Sequence, residues 1–435
     1  MKLWWKKGIL NTVEHAVTRG ADALVTILLI RALDAATFSR VALAQAWLAP
    51  VLLIFISPET ILYRDYSEWK VQGRLFLQLR LSAFRRFALL KWGMATLIAL
   101  GVAALSKAPS FEEKYWIFCA WLWAAWLPLV PQILGPDREF LRMSLRLRAL
   151  NVLTLIQKLS LLGGVVAVLA IFPSDLVLPG IGTVLWFSVS VSWVLGWWTA
   201  RGELKKLEEL PQTRDILPTL RGWRAVYDSL RGFSFWSHLS GVVQNWVQTM
   251  DLFFLGIFHA SSVAQLALYA VALKLSNLLL ALPLALANIF GVWVGSTQTA
   301  QRDRVKSLTM RLYLACIAQM LVFWMFSSWI INWLSRGRWS AADQDQIFHW
   351  LVLISTATMM YASTFLMSSW ITLRKNVRKL FFWVYVPWLV ISMGVYAGAA
   401  KKWTFTEVAA ANLVIAIVFI ALLWRQWSRA EESAE

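Results

Sequence analysis

Charge is scarce in this sequence. Asp, Glu, Lys and Arg make up 15% of its 435 residues and hydrophobic residues 59%, whereas a soluble chain carries about 25% charge. That shortage argues against a water-soluble multidomain protein. Cysteine is nearly missing. Cys119 and Cys316 both sit inside apolar blocks, which gives no basis for a disulfide or a zinc site and fits buried small hydrophobes. No phosphate-cradling loop, zinc spacing or nucleophile elbow occurs, so ATP hydrolysis and familiar catalytic centres have no residues to use. External loops are short, the longest near 335–345, and lack acidic or histidine clusters. No cleavable leader is expected, because the helix behind Met1-Lys-Leu-Trp-Trp-Lys-Lys7 is too polar for one.

What is present is a series of apolar blocks, each long enough to cross about 30 Å of hydrocarbon. About 12 spans are expected, at 8–31, 37–57, 87–106, 114–134, 150–172, 177–200, 232–258, 263–297, 309–334, 346–372, 380–399 and 405–427. Many of the 28 tryptophans stand at block ends, among them Trp4, Trp5, Trp116, Trp197, Trp198, Trp403 and Trp424, as interfacial belts require. Pro50, Pro128, Pro131, Pro283 and Pro387 interrupt spans, and neighbouring helices are expected to satisfy the carbonyls they free. With the N-terminus inside, internal segments collect roughly 30 of the 42 basic residues and external loops about seven. That asymmetry assigns most of the +18 charge to cytoplasmic loops beside anionic lipid rather than to nucleic acid. Ser110-Phe-Glu-Glu113, Ser340-Ala-Ala-Asp343 and Thr404-Phe-Thr-Glu407 match the capping pattern, each opening a span that starts outside.

Polar side chains inside these spans are costly and mark pathways. In the first, Asn11, Glu14, His15, Thr18, Arg19, Asp22 and Thr26 fall within about 140° of the helical wheel, opposite an apolar face. In the seventh, Ser234, Ser237, His238, Gln244, Asn245, Gln248 and Asp251 occupy about 160°. The polar interruption at 201–231 divides the chain into residues 1–203 (spans one to six), a cytoplasmic linker at 204–230, and 231–435 (spans seven to twelve). Shifted by about 229 residues the halves echo one another, Asp22 meeting Asp251 and Ala35 to Leu43 meeting Ala264 to Ala272.

The stretch Leu28-Leu-Ile-Arg-Ala-Leu-Asp-Ala-Ala-Thr-Phe-Ser-Arg-Val-Ala-Leu-Ala44 resembles the first inter-helix turn of polysaccharide and O-antigen flippases. Thr249-Met-Asp-Leu-Phe-Phe-Leu-Gly256 through Leu268-Tyr-Ala-Val-Ala-Leu-Lys274 resembles their seventh and eighth helices. These flippases belong to the multidrug/oligosaccharidyl-lipid/polysaccharide (MOP) exporter superfamily. The sequence departs from their pattern at Ser39-Arg40 and Leu268. Twelve spans rather than fourteen point away from a peptidoglycan lipid II flippase. The resemblance implies an all-α polytopic membrane protein, with two pseudo-repeated six-helix lobes around a central cavity that opens alternately to each face. It further implies a bacterial inner-membrane location with both termini cytoplasmic, and a polyprenyl-pyrophosphate-linked oligosaccharide as cargo.

An anionic cargo needs cations in the cavity. Arg19 and Lys274 are the leading phosphate ligands and Arg40 is a further one, while Arg40, Lys91 and Lys158 can also snorkel or pair. Asn11, His15, Asn245 and Gln248 would meet sugar. Asp22, Asp251 and Glu14 are candidates for coupling to H+ or Na+, because burial raises a carboxylate toward the working range. No catalytic residue, metal ligand or cofactor is expected. Expected partners are the lipid-linked saccharide, membrane lipids and polysaccharide assembly proteins. The rival readings are a multidrug/cation antiporter of the same superfamily, whose cavity would carry excess acid, and a membrane-embedded polyprenyl-sugar glycosyltransferase or polymerase.

Overall fold

The computed structural model describes residues 17–18, 20–51, 55, 61–106, 110–111, 113–115, 117–118, 134–144, 146–171, 177–207, 232–284, 286–287, 290, 302–374 and 377–432. Asn11, Glu14, His15 and Arg19, most of the fourth expected span and most of the linker lie outside them. The fold is all-α, with no strand among the described residues. The helices are α1 (20–32), α2 (Ala35–Val51), α3 (Leu62–Val71), α4 (Arg74–Leu105), α5 (134–143), α6 (Leu147–Ile171) and α7 (Val177–Leu204). They continue with α8 (Phe233–Val247), α9 (Met250–Phe258), α10 (Val263–Leu278), α11 (Arg302–Ser335), α12 (Ala341–Ser363), α13 (Phe365–Arg374), α14 (Val377–Lys402) and α15 (Phe405–Glu432).

Seven helices among the described residues are long and apolar enough to cross a membrane: α4, α6, α7, α11, α12 with its continuation to Thr372, α14 and α15. They coincide with seven of the expected spans. Exposed leucines, methionines and tryptophans stud α4 and α11, including Leu97, Leu105, Leu314, Met325 and Trp329, a surface suited to lipid.

The chain divides into two compact units. One holds the described parts of Met1–Ala21 and Val51–His238, the other Asp22–Pro50 and Leu239–Glu435. Residues 22–50, assigned by sequence to the first half, thus pack with the second unit. In the first unit α6 lies along α7, and a core of Tyr66, Trp69, Phe76, Leu77, Phe84, Phe140 and Leu141 joins α3, α4 and α5. In the second, α12 packs against α10, α11 and α15. Over its most apolar stretch 72% of the α12 span is buried, against 17% of α11, so α12 is central and α11 peripheral.

Three local features follow from single residues. The seventh expected span is not continuous: it breaks at Gln248 and Thr249 between α8 and α9. There the Thr249 hydroxyl lies 3.3 Å from the Asn245 carbonyl and 3.2 Å from that of Trp246, competing with the helix ladder. At Pro283 the missing N–H leaves the carbonyl of Leu279 without its helical donor. Gln319 of α11 supplies one, its amide donating to Leu279 O at 3.0 Å. Within α14, the segment Phe381–Tyr385 is a π-helical turn just before Pro387, a register change that accommodates the proline. The Ser340–Asp343 capping box also forms, with reciprocal bonds of 3.1 and 2.9 Å.

Candidate functional site

The break at Thr249 places Asp251 in the first turn of α9. Its side chain is fully enclosed, at 0% exposure. One carboxylate oxygen, Oδ1, accepts from the backbone N–H of Leu252 at 2.7 Å. The other, Oδ2, accepts from the Tyr269 hydroxyl of α10 at 2.7 Å and from Asn412 Nδ2 of α15 at 3.2 Å. Asn412 in turn accepts at Oδ1 from the Tyr396 hydroxyl of α14 at 2.7 Å, and its Nδ2 reaches Val408 O at 3.3 Å. Side chains from α9, α10, α14 and α15 thus converge on one buried polar network. No lysine, arginine or histidine among the described residues acts on Asp251 as a charge partner.

An aromatic wall closes the network. The ring of Tyr269 lies 5.5 Å from Trp350 and 6.0 Å from Phe405, and those two rings are 5.6 Å apart. Trp350 Nε1 donates to Thr406 Oγ1 at 3.1 Å. Tyr361, Trp388 and Phe419 form a second cluster in the same unit.

Lys274 lies on α10, five positions beyond Tyr269. Its ammonium donates to Gln45 Oε1 of α2. The approach of α2 depends on Gly256 in α9, where a Cβ would stand 2.4 Å from Leu43 Cδ2. Trp47 of α2 packs against Phe253, ring centres 5.3 Å apart.

The other expected residues are dispersed. Arg40 is exposed on α2 and Asn245 is exposed on α8. Gln248 is half-buried at the break, and Asp22 is half-buried on α1, its carbonyl accepting from Thr26 Oγ1 at 2.8 Å. Asp251 is fully enclosed on α9, whereas Lys274 is half-buried on α10. Lys91 is 1% exposed, so snorkelling does not describe it; its ammonium sits 5.4 Å from the Phe87 ring centre. Sequence reasoning missed Gln45, Tyr269, Tyr396 and Asn412. Each of the last three is an isolated polar group in an apolar run, which itself signals a partner on another helix.

The first unit has its own polar cluster. Arg85 of α4 pairs with Asp137 of α5 through two nitrogens. Arg138 donates to Gln157 Oε1 of α6 at 2.5 Å, and Arg142 pairs with Glu139 at 2.5 Å. Beside it runs a narrow cleft lined by Leu134, Asp137, Arg138, Leu153, Ser192, Trp193 and Gly196. These charges pair with one another and tie α4, α5 and α6 together.

No family model matches the sequence, and no curated protein matches it. Solved structures do. The chain is similar over 99% of its length to an outward-facing multidrug-resistance MATE transporter of the MOP superfamily, with TM-score 0.65, 11% identity and 95% of that protein covered. A Vibrio cholerae MATE transporter, VcmN, is matched at TM-score 0.59 and 14% identity, with 99% of each chain covered. The lipid II flippase MurJ, in an inward closed conformation, is matched at TM-score 0.58 and 13% identity, over 97% of this chain and 87% of that one. This chain shares its fold with these proteins. MATE transporters have 12 helices in two lobes, the architecture the span pattern implies. Within this fold the enclosed Asp251 network belongs wholly to the second compact unit.

Proposed function

We propose that this chain is an ion-coupled flippase of the MOP superfamily that moves a polyprenyl-pyrophosphate-linked oligosaccharide across a bacterial inner membrane by alternating access. Asp251 carries the reading. An enclosed carboxylate with three donors and no basic partner among the described residues is expensive as a bare anion. It is stabilised by a proton or by a small cation, and exchanging either one with the two membrane faces couples transport to a gradient.

Lys274 supports the choice of cargo. Its partner is the neutral amide of Gln45, so its positive charge is oriented but not cancelled, and it stays able to bind phosphate. Arg19 and Arg40 would assist it, with Asn11, His15, Asn245 and Gln248 along the sugar path. Asp22 and Glu14 are the auxiliary acids. Both termini face the cytoplasm in this proposal, and polysaccharide assembly proteins would supply and receive the cargo.

The test is flipping of a fluorescent polyprenyl-pyrophosphate oligosaccharide in proteoliposomes under an imposed H+ or Na+ gradient. The gradient is expected to accelerate flipping, and Asp251→Asn to abolish that acceleration. A second reading, multidrug antiport, is favoured by the same unneutralised carboxylate, which also suits a cationic drug. Dye efflux without lipid flipping would establish it in place of the first. Sustained glycosyl transfer by the purified chain would move it to the enzyme class.

A further inference from the structure

The end of α1 and the turn between α11 and α12 bring three arginines together: Arg31, Arg336 and Arg338. α11 closes at Ser335, and the next residues, Arg336 and Gly337, both adopt left-handed conformations, with φ of 47° and 77°. Ser335 fixes the turn, its hydroxyl accepting from Gly337 N at 3.2 Å and donating to Asn332 O at 2.8 Å. Arg338 is thereby directed onto α1, where it donates to Ile30 O at 2.9 Å and Leu33 O at 3.3 Å. It caps carbonyls that a helix end leaves open.

Arg31 lays its guanidinium 4.2 Å from the centre of the Trp333 ring. Its Nε is buried and has no hydrogen-bond partner among the described residues. The acids nearest in sequence are engaged elsewhere. Asp34 accepts from Thr37 N at 2.9 Å and from its hydroxyl at 2.7 Å. Burial alone would raise the Asp34 carboxyl, but these bonds outweigh it and hold the group below its ordinary value. Asp343 closes the cap on Ser340. The charges of Arg336 and Arg338 act on Arg31, beside the partial negative ends of α1 and α11. Trp329 and Trp333, 67% and 43% exposed, suit an interfacial tryptophan belt beside the lipid headgroups.

We propose that Arg31, Arg336 and Arg338 form a phosphate-binding site at this end of the second unit, receiving a phosphate group from the headgroup layer. Arg31 supplies a guanidinium stacked on Trp333, Arg338 is held in place by α1, and Trp333 forms the wall. The site goes beyond the transport reading and does not depend on it, because its test reads binding rather than flipping.

The test uses the full chain in detergent with dioctanoyl phosphatidylglycerol, dioctanoyl phosphatidylcholine and inorganic pyrophosphate as probes, scored by native mass spectrometry. The wild type is expected to prefer phosphatidylglycerol. The double variant Arg31→Gln, Arg336→Gln, which spares the capping Arg338, should bind it roughly thirtyfold more weakly, as expected for two lost surface charges. Arg31→Lys should retain most of the affinity. Competition by pyrophosphate would support recognition of phosphate from any source, and its failure would support a lipid phosphodiester. Equal wild-type binding of the two lipids, or undiminished binding by the double variant, overturns the proposal. The lipid preference is measured on wild type, so it stands even if the double variant misfolds.

Discussion

Lys274 of α10 donates to Gln45 of α2, and the two residues are 229 positions apart, the same offset at which the two halves of the sequence echo each other. Equivalent positions of an internal repeat thus meet, one bearing a cation and the other an amide. The amide orients the ammonium and leaves its charge intact. Gln45→Glu would supply a carboxylate instead and neutralise it. That variant is expected to remain folded while flipping phosphate-linked cargo at least about tenfold more slowly, a rise of about 1.4 kcal/mol in the barrier. Lys274→Ala and Arg19→Ala should abolish flipping while leaving membrane insertion intact. Wild-type rates in both would remove the cation-led account of cargo binding.

Asp251 should separate coupling from stability. Asp251→Asn keeps the size of the side chain and removes a charge that is costly to enclose. Its melting temperature is expected to fall less than that of Asp251→Ala, since one acceptor oxygen remains, while its response to an ion gradient disappears. Asp251→Ala instead leaves the Tyr269 hydroxyl and the Asn412 amide without their acceptor, costing about 1–3 kcal/mol for each buried group. Thermal melts of the two variants in one detergent distinguish these outcomes.

The close approach of α2 to α9 predicts a size limit at Gly256. Gly256→Val would collide with Leu43 and destabilise the fold by about 1–3 kcal/mol. Adding Leu43→Ala should recover part of that loss. A double-mutant cycle with no coupling between these positions would contradict the packing described.

Gln319 and Pro283 should be coupled through one carbonyl. Gln319→Leu removes the donor to Leu279 O and is expected to cost about 1–3 kcal/mol. In a Pro283→Ala background the restored N–H can reach that carbonyl, and the same change should then cost little. Unfolding midpoints of the four combinations give the answer.

The span pattern was legible because twenty apolar residues in succession admit few alternatives, and α4, α6, α7 and α11 to α15 fall where the hydropathy places them. The division at 248–249 was not. A single threonine hydroxyl bonding back to carbonyls has no signature in a hydropathy pattern. Asp251 stood out as a carboxylate in an apolar stretch, but its partners lie 18 and 161 residues away. Only the folding of three further helices around α9 brings them together. Gln45 was not singled out, because an amide in an apolar run does not by itself name the cation 229 residues away that it meets. The polar stripe of the first span belongs mostly to residues outside those described.

The restart of the helix just before Asp251 has an electrical consequence. A continuous span would surround that carboxylate with amides already bonded to carbonyls, leaving it the Tyr269 hydroxyl and the Asn412 amide. Beginning α9 at Met250 turns unspent N–H groups and the positive end of a short dipole toward the side chain. The interruption gives an otherwise insulating segment a place that favours negative charge.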